Sequence, residues 1–314
     1  MRPKVGAVVV TFHPDREKLK RLLDSLRQQA DAVVIVDNGS KGDSPCWLAP
    51  HQGAAPCGPA GQPNEEARAP LAFIPLEENA GVAAAQNIGI TRLRDFGVAY
   101  VILFDHDSLP ASGMVDRLVK VAEQKRAAGI KLAAVGPRYW DERQGNPPPF
   151  IMQRGIRITR MPCSAEDSVV EVSYLISSGC LIPLDTLDLV GLMREDFFID
   201  YVDIEWGLRA QCRGFTSFGV CDALMRHELG EEPIKFFRRR VPLHSPLRHY
   251  YHFRNAVAMY LDAGLPLRWK VADGWRLFLK YGFYTMFAQP RHIHWWMMTK
   301  GVWHGLVGRM GRYS

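Results

Sequence analysis

The chain has 314 residues, 47% of them hydrophobic, which excludes global disorder and suits one large α/β domain with or without an appendage. Its net charge of +6 is uneven: residues 264–314 hold eight Lys/Arg, a single acid (Asp273) and five of the eight tryptophans, leaving a body close to neutral. The six cysteines are scattered with no C-x-x-C pair, so reduced thiols in a cytosolic compartment are expected rather than a zinc site or a disulfide framework.

Residues 4–11 form a continuous apolar run, as in a buried parallel strand. Leu19, Leu22, Leu23 and Leu26 follow at i, i+3, i+4, i+7 and predict a helix packed on that strand. Residues 32–36 read as a second strand, closed by the turn signal Asp37-Asn38-Gly39-Ser40. This β-α-β opening predicts a parallel sheet with right-handed crossovers. Residues 41–70, rich in Gly, Pro and Ala and without periodicity, read as a long surface loop. A strand over 72–76 then leads through Asn79-Ala80-Gly81 into an Ala-rich helix ending near Ile90, and 100–104 is the central strand. Met114, Val115, Leu118, Val119 and Ala122 define the next helix, and 132–136 the strand after it. Beyond Pro137 the pattern changes to loop and antiparallel hairpin over 140–168. A strand over 169–176, helices over 184–189 and 203–212 and a strand over 216–220 complete the body. The expected division is 1–136, 137–262 and a basic, Trp-rich helical tail over 263–314.

Two acidic segments carry the chemistry. Val101-Ile102-Leu103-Phe104 runs into Asp105-His106-Asp107, placing two carboxylates at a strand end. Ligands of open α/β sheets bind outside the carboxyl ends of strands, where Asp37 and Asn79 also fall. Mg²⁺ or Mn²⁺ needs oxygen ligands and shares its shell with substrate phosphates, so one or two carboxylates suffice. An ordinary acidic turn is the competing reading. In the second segment Asp196, Asp200, Asp203 and Glu205 fall within about ten residues, among Phe198, Tyr201 and Trp206. A carboxylate desolvated by those rings has a raised pKa suited to taking a hydroxyl proton. The competing reading is a helix cap at Asp200 or Asp203, on a helix burying Ile204, Leu208 and Cys212. His227, after the strand-and-turn 221–226, would complete a cation shell with Asp107. Lys235, Arg238, Arg239, Arg240, Arg248 and Arg254, interleaved with Phe236, Phe237, Tyr250 and Tyr251, read either as a phosphate grip or as a solvated basic face. Together these features point to transfer of a group from a nucleotide diphosphate donor.

The ordered motifs resemble a known family. Thr11-Phe12-x-Pro14, Val36-Asp37-Asn38-Gly39-Ser40, Asn79-x-Gly81-x-Ala83-x-Ala85-Gln86-Asn87-x-Gly89 and Asp105-His106-Asp107-Ser108-x-Pro110 come first. Ser177-Ser178-Gly179, Phe198-Ile199-Asp200-x-Val202-Asp203-Ile204-Glu205-Trp206, His227-x-Leu229-Gly230 and Arg248-x-Tyr250-Tyr251-x-x-Arg254-Asn255 follow. Over about residues 4–260 the set is similar to the rhamnosyltransferase branch of glycosyltransferase family 2. The resemblance implies an inverting enzyme of α/β, GT-A type: a Rossmann-like, mostly parallel central sheet flanked by helices, here with a C-terminal helical appendage. It implies that Thr11, Asp37 and Asn79 lie around the nucleoside and that Asp105 and Asp107 bind ribose and metal. His227 would be a further metal ligand and Asp203 the base, with Asp200 and Glu205 as alternates. Ser177, Ser178, Trp206, Arg248, Tyr250 and Arg254 are the expected acceptor or phosphate contacts. The Pro- and Gly-rich segment 45–70 is longer than the family pattern.

The function expected from this is transfer of L-rhamnose from dTDP-L-rhamnose to a hydroxyl of a lipid-linked bacterial surface glycan, with a UDP-sugar as the alternative donor. A Rossmann dehydrogenase is disfavoured, because the first strand runs into Thr11-Phe12-His13-Pro14 with no G-x-G-x-x-G. No nucleic-acid module accompanies the basic tail, so nucleic acid is not an expected partner. Charges interrupt every apolar run of the tail before it could span a bilayer. The tail is therefore expected to lie on anionic lipid at the inner face of the cytoplasmic membrane. A helical pair packed on the body or in a homo-oligomer is the competing reading.

Overall fold

The structure, a computed structural model, describes residues 2–40, 69–140, 150–155, 157–163, 169–227, 234–236, 239–241 and 243–313. The loop expected over 41–70 therefore lies, except for its last two residues, outside the described residues.

Strand β1 (Val5–Thr11) is buried throughout and is followed by α1 (Arg16–Gln29), whose N-terminus is capped by Asp15 accepting from the Lys18 amide. Then come β2 (Ala32–Asp37), β3 (Leu71–Pro75), α2 (Val82–Arg94) and β4 (Tyr100–Asp105). They are followed by β5 (Ser108–Pro110), α3 (Met114–Ala127) and β6 (Leu132–Trp140). The hairpin β7 (Phe150–Arg154) and β8 (Arg157–Met161) leads to β9 (Val169–Val172), β10 (Leu181–Pro183) and α4 (Leu184–Val190). Helix α5 (Val202–Cys212) precedes the long β11 (Thr216–His227). A short hairpin, β12 (Ile234–Phe236) with β13 (Arg239–Val241), then gives way to three helices. These are α6 (Pro246–Leu261), α7 (Leu267–Phe287) and α8 (Arg291–Leu306).

The central sheet has the order β3-β2-β1-β4-β10-β6-β11-β5, with β9 also on β11. Strands β3, β2, β1 and β4 are mutually parallel, while β10 runs antiparallel to both β4 and β6. The strand period of two sorts the apolar residues onto two faces. Val8, Val10, Val34, Val36, Val101 and Leu103 pack on the side of α2 and α5, whereas Ala7, Val9, Val33, Ile35, Ile102 and Phe104 pack against α1 and α3. Register then fixes the functional edge: Thr11 lies beside Asp37, and Val10 beside Asp105, at the carboxyl ends of three adjacent strands.

Several expectations are corrected. The strand expected over 169–176 ends at Val172, and Ser173 donates its amide to Ile151 of β7 instead. The chain expected to turn after 220 continues as strand to His227, with a bulge between Val220 and Leu224 that keeps it paired to β6. On α5 the inward face is Val202, Glu205, Trp206 and Leu208; Ile204 is half-buried and Cys212 exposed, because the register turns Asp203 towards the cavity described below. Cys163 and Cys221 form a disulfide with Cα atoms 5.6 Å apart. The pairing arises because β9 and the β7–β8 hairpin fold against β11, where the Phe150 ring covers Gly219, so two residues 58 apart meet without any spacing signature. Cys180 and Cys212 are free thiols.

The tail helices are built into the body. Helix α8 lies along α6 through Gly301 and Gly305, where an added Cβ would stand 2.4 Å from the Tyr250 carbonyl and 2.6 Å from the Arg254 carbonyl. Only hydrogen fits there, and the close approach of the two backbones depends on it. Tyr250 Oη meets His304 Nδ1 at 2.7 Å, and the Arg254 guanidinium donates to the Gly311 carbonyl.

Candidate active site

A cavity of 630 Å³ opens at the carboxyl edge of β1 and β4, between the sheet, the segment 198–204 and α6. Its sheet wall includes Thr11, Asn38, Asp105 and Asp107, with Asn79 and Gly81 at the start of α2 and Ser177, Ser178 and His227 alongside. Asp37 lies beneath this wall, 1% exposed, where its Oδ1 accepts hydroxyl hydrogens from Thr11 (2.8 Å) and Ser40 (2.6 Å). It braces this edge of the sheet from below. Asn38 Oδ1 accepts from the Ala80 amide, and Asn79 Oδ1 from Gly81, so both asparagines fix the entry into α2.

Asp105, Asp107 and His227 offer ligand atoms within 4.8 Å of one another. The turn of Asp105-His106-Asp107 brings the first two together, and pairing of His227 with Ser108 brings the third across from β11. Asp107 Oδ1 is buried without a hydrogen-bond donor and sits 3.3 Å from His227 Nδ1. Burial drives Asp105 above its ordinary pKa, helped by Asp107 and opposed by His227. Burial also acts upward on Asp107, but the nearby His227 outweighs it and leaves that carboxyl below the ordinary range. Two carboxylates, one orphaned, and an imidazole fit Mg²⁺ or Mn²⁺ chemistry. A serine chain holds the imidazole: the Asp105 amide donates to Ser178 Oγ, Ser178 Oγ lies 2.6 Å from Ser108 Oγ, and Ser108 Oγ lies 2.8 Å from His227 Nδ1.

Opposite the triad stands the acidic segment. Phe198, Asp200 and Tyr201 all have φ near +65°, a left-handed backbone that costs each non-glycine residue roughly 1–2 kcal/mol. Two buried residues of α6 hold it there. Asn255 Nδ2 donates to the carbonyls of Phe197, Ile199 and Asp200 at 2.8–2.9 Å, and Arg254 donates to those of Asp196 and Phe197. The Phe198 ring stacks on Tyr251, and the Val82 amide donates to the Phe198 carbonyl, tying α2 to the same turn. Tyr201 stands at the N-cap of α5 and no side chain caps the helix, so Asp203 is free of that duty. Asp203 Oδ1 accepts only the neighbouring Ile204 amide among the described residues. Burial, reinforced by the charges of Asp200 and Asp105, pushes its carboxyl up to about 6. That suits a general base near neutral pH. Asp200 instead holds Arg248 in a two-pronged ion pair at 3.2–3.3 Å.

Other expected residues fall outside the cavity wall. Glu205 is 2% exposed and bonds Arg209 one turn on, which itself donates to the Val190 and Leu192 carbonyls. Trp206 donates to the Gly191 carbonyl. Tyr250 and Arg254 serve the α6–α8 contact and the acidic turn. Side chains of Lys235, Arg238, Arg239 and Arg240, and the Leu229-Gly230 pair, lie outside the described residues. Sequence reasoning quoted Ser108 and Asn255 within motifs but gave them no role, and it passed over His252. The last was detectable: it follows Arg248 by four residues, so one face of α6 presents both to the cavity.

Residues 7–167 match the family described as Glycosyl transferase family 2. The chain is also 30% identical over 269 residues to the dTDP-rhamnosyl transferase RfbF of Shigella flexneri, covering 85% of this chain and 83% of that one. The chain belongs to glycosyl transferase family 2. Among solved structures, the enzyme is similar to GalNAc-T7 with UDP, GalNAc and Mn²⁺, with a TM-score of 0.58 at 11% identity. That match covers 97% of this chain but only 56% of GalNAc-T7. Residues 1–349 of S. aureus TarS give 0.57 at 14% identity, covering 98% of this chain and 82% of that one. These likenesses establish the GT-A fold of the glycosyltransferase, with its mostly parallel sheet and flanking helices.

Proposed function

We propose that the enzyme transfers L-rhamnose from dTDP-L-rhamnose to a hydroxyl of a lipid-linked glycan, with inversion at the anomeric carbon. The observation that carries the donor assignment is the sequence match to a dTDP-rhamnosyl transferase over most of both chains. Thr11, Asn38 and Asn79 would face the nucleoside, with Asp37 bracing the edge behind them. Asp105, Asp107 and His227 would hold a divalent cation, which when bound neutralises charge on the diphosphate. Asp203 takes the proton from the acceptor hydroxyl as its oxygen bonds to the anomeric carbon and the bond to the diphosphate breaks. Arg248, aimed by Asp200, lends positive charge to the same cavity. Since no enzyme nucleophile takes part, a single displacement inverts the centre.

The donor is tested by calorimetric titration with Mg²⁺ present. dTDP-rhamnose is expected to bind at least about tenfold more tightly than UDP-glucose or UDP-N-acetylgalactosamine, a gap of roughly 1.4 kcal/mol. A preference for a UDP-sugar would keep the family and discard rhamnose.

A membrane surface is the proposed setting. No helix among the described residues is long and apolar enough to cross a membrane. Yet α7 turns Leu267, Val271, Trp275, Phe278, Leu279 and Met286 outward, with Trp275 62% and Phe278 66% exposed, and α8 adds Trp296 and Trp303. Arg268 and Arg276 flank this stripe, which suits anionic headgroups with rings at the interface. Each basic residue contributes roughly 1 kcal/mol, so attachment should be reversed by salt. Full-length protein should float with phosphatidylglycerol-containing vesicles at low salt and not with phosphatidylcholine alone. Trp275→Glu with Phe278→Glu should abolish flotation. Wild type left at the bottom of the gradient at low salt would refute a lipid-facing α7.

A further inference from the structure

Helix α7 packs on α6 through Trp269, Leu277 and Tyr284, and helical spacing places Asp273 and Lys280 on that same stripe. A lysine amid a buried stripe requires an explanation, and its surroundings supply one: Lys280 remains exposed. Its ammonium donates to His252 Nε2 at 3.0 Å, and His252 lines the cavity one turn beyond Arg248. The His252 ring is fixed by the Tyr201 ring at 4.9 Å, and burial first, then the Lys280 charge, holds it neutral and so able to accept.

Neighbouring carboxylates are already engaged. Asp273 Oδ2 accepts the hydroxyls of both Tyr201 (2.8 Å) and Tyr260 (2.7 Å), and Asp200 is committed to Arg248. Among the described residues Lys280 therefore has no carboxylate partner within 4.0 Å, and its one hydrogen bond is to a neutral ring. Arg276 and His244 add to the same neighbourhood. A cation held in place by a neutral acceptor keeps its field and two N–H groups for an incoming anion. Through His252 the lysine adjoins the α6 wall of the cavity, not the sheet edge that carries the acidic triad.

We propose that Lys280, with Arg248 and His252, forms an oxyanion subsite at the acceptor side of the cavity, which takes a phosphate group carried by the acceptor. The assignment to the acceptor rests on the glycosyl-transfer reading, in which the triad side serves the donor diphosphate. Lys280 thereby selects acceptors bearing a phosphate near the reacting sugar.

The test titrates inorganic pyrophosphate into wild type, Lys280→Met and Lys280→Arg, first in EDTA and then with the proteins saturated with dTDP and Mg²⁺. Pyrophosphate should bind wild type in both conditions. Lys280→Met should bind it about tenfold more weakly, the loss of one charge-assisted hydrogen bond, and Lys280→Arg should recover most of that. The affinity of Lys280→Met for dTDP with Mg²⁺ should equal that of wild type. Equal pyrophosphate affinity in wild type and Lys280→Met overturns the subsite. Exclusion of pyrophosphate by dTDP, or a matching loss of dTDP affinity, overturns its assignment to the acceptor and gives the lysine to the donor. If dTDP fails to bind wild type while pyrophosphate binding still depends on Lys280, the donor reading falls and the subsite stands.

Discussion

Asp203→Asn should abolish transfer by about 10²-fold or more while leaving dTDP affinity intact, because an amide cannot accept the hydroxyl proton at neutral pH. Wild-type kcat/KM should rise through about pH 6, where the buried Asp203 carboxyl ionises, and level off above it. The same shift has a stability consequence of definite sign. Folding raises this group from 3.8 to about 6, so the folded state bears the cost of an ionised buried carboxylate above pH 6. Below about pH 4 the group is protonated in both states and the cost vanishes. The Asn variant should therefore melt above wild type at pH 8 and with it at pH 4. Turnover near that of wild type would move proton transfer elsewhere. The neighbours are poor substitutes, since Asp200 is paired with Arg248 and Glu205 is buried against Arg209.

Asp107→Asn should cost the metal-dependent part of nucleotide binding. The orphaned Oδ1 of Asp107, the Asp105 carboxyl and His227 form the one three-residue cluster of this kind among the described residues. Wild type should bind dTDP at least about tenfold more tightly in Mn²⁺ than in EDTA, and the variant equally in both. Ser108→Ala, which removes the hydroxyl beside His227 Nδ1 but no ligand, should lie between them. Direct Mn²⁺ titration without nucleotide gives a readout independent of turnover. Wild-type affinity for dTDP that is the same in EDTA and in Mn²⁺ would leave the triad as a structural polar cluster.

The sheet and its functional edge were legible because their causes are local. Buried parallel strands must be continuously apolar, and Asp37 and Asp105 stand where those runs stop. The acidic segment facing the cavity was legible only as a density of acids. Asp203 and Glu205 are the same kind of group two residues apart, yet about 200° of helical rotation sends one into the cavity and the other into the core against Arg209. Which is which depends on where α5 begins, and three non-glycine residues in left-handed conformation set that start. Their stabilisation comes from Asn255, more than fifty residues later, so no local pattern announces it. The Cys163–Cys221 pairing escaped for the same reason, since strand topology rather than spacing brings the thiols together.

The contacts of α7 and α8 bear on how this enzyme could be taken apart. Asp273 secures Tyr201 at the head of α5, His304 secures Tyr250, and the Gly311 carbonyl receives the arginine that also holds the acidic turn. Removing the last fifty residues would therefore strip support from Asp203 as well as the outward aromatic face. A truncated enzyme that lost both lipid attachment and turnover would say nothing of which loss caused the other. The proposed lipid-facing surface and the support of Asp203 share one scaffold, and only substitutions confined to its outer surface can separate them.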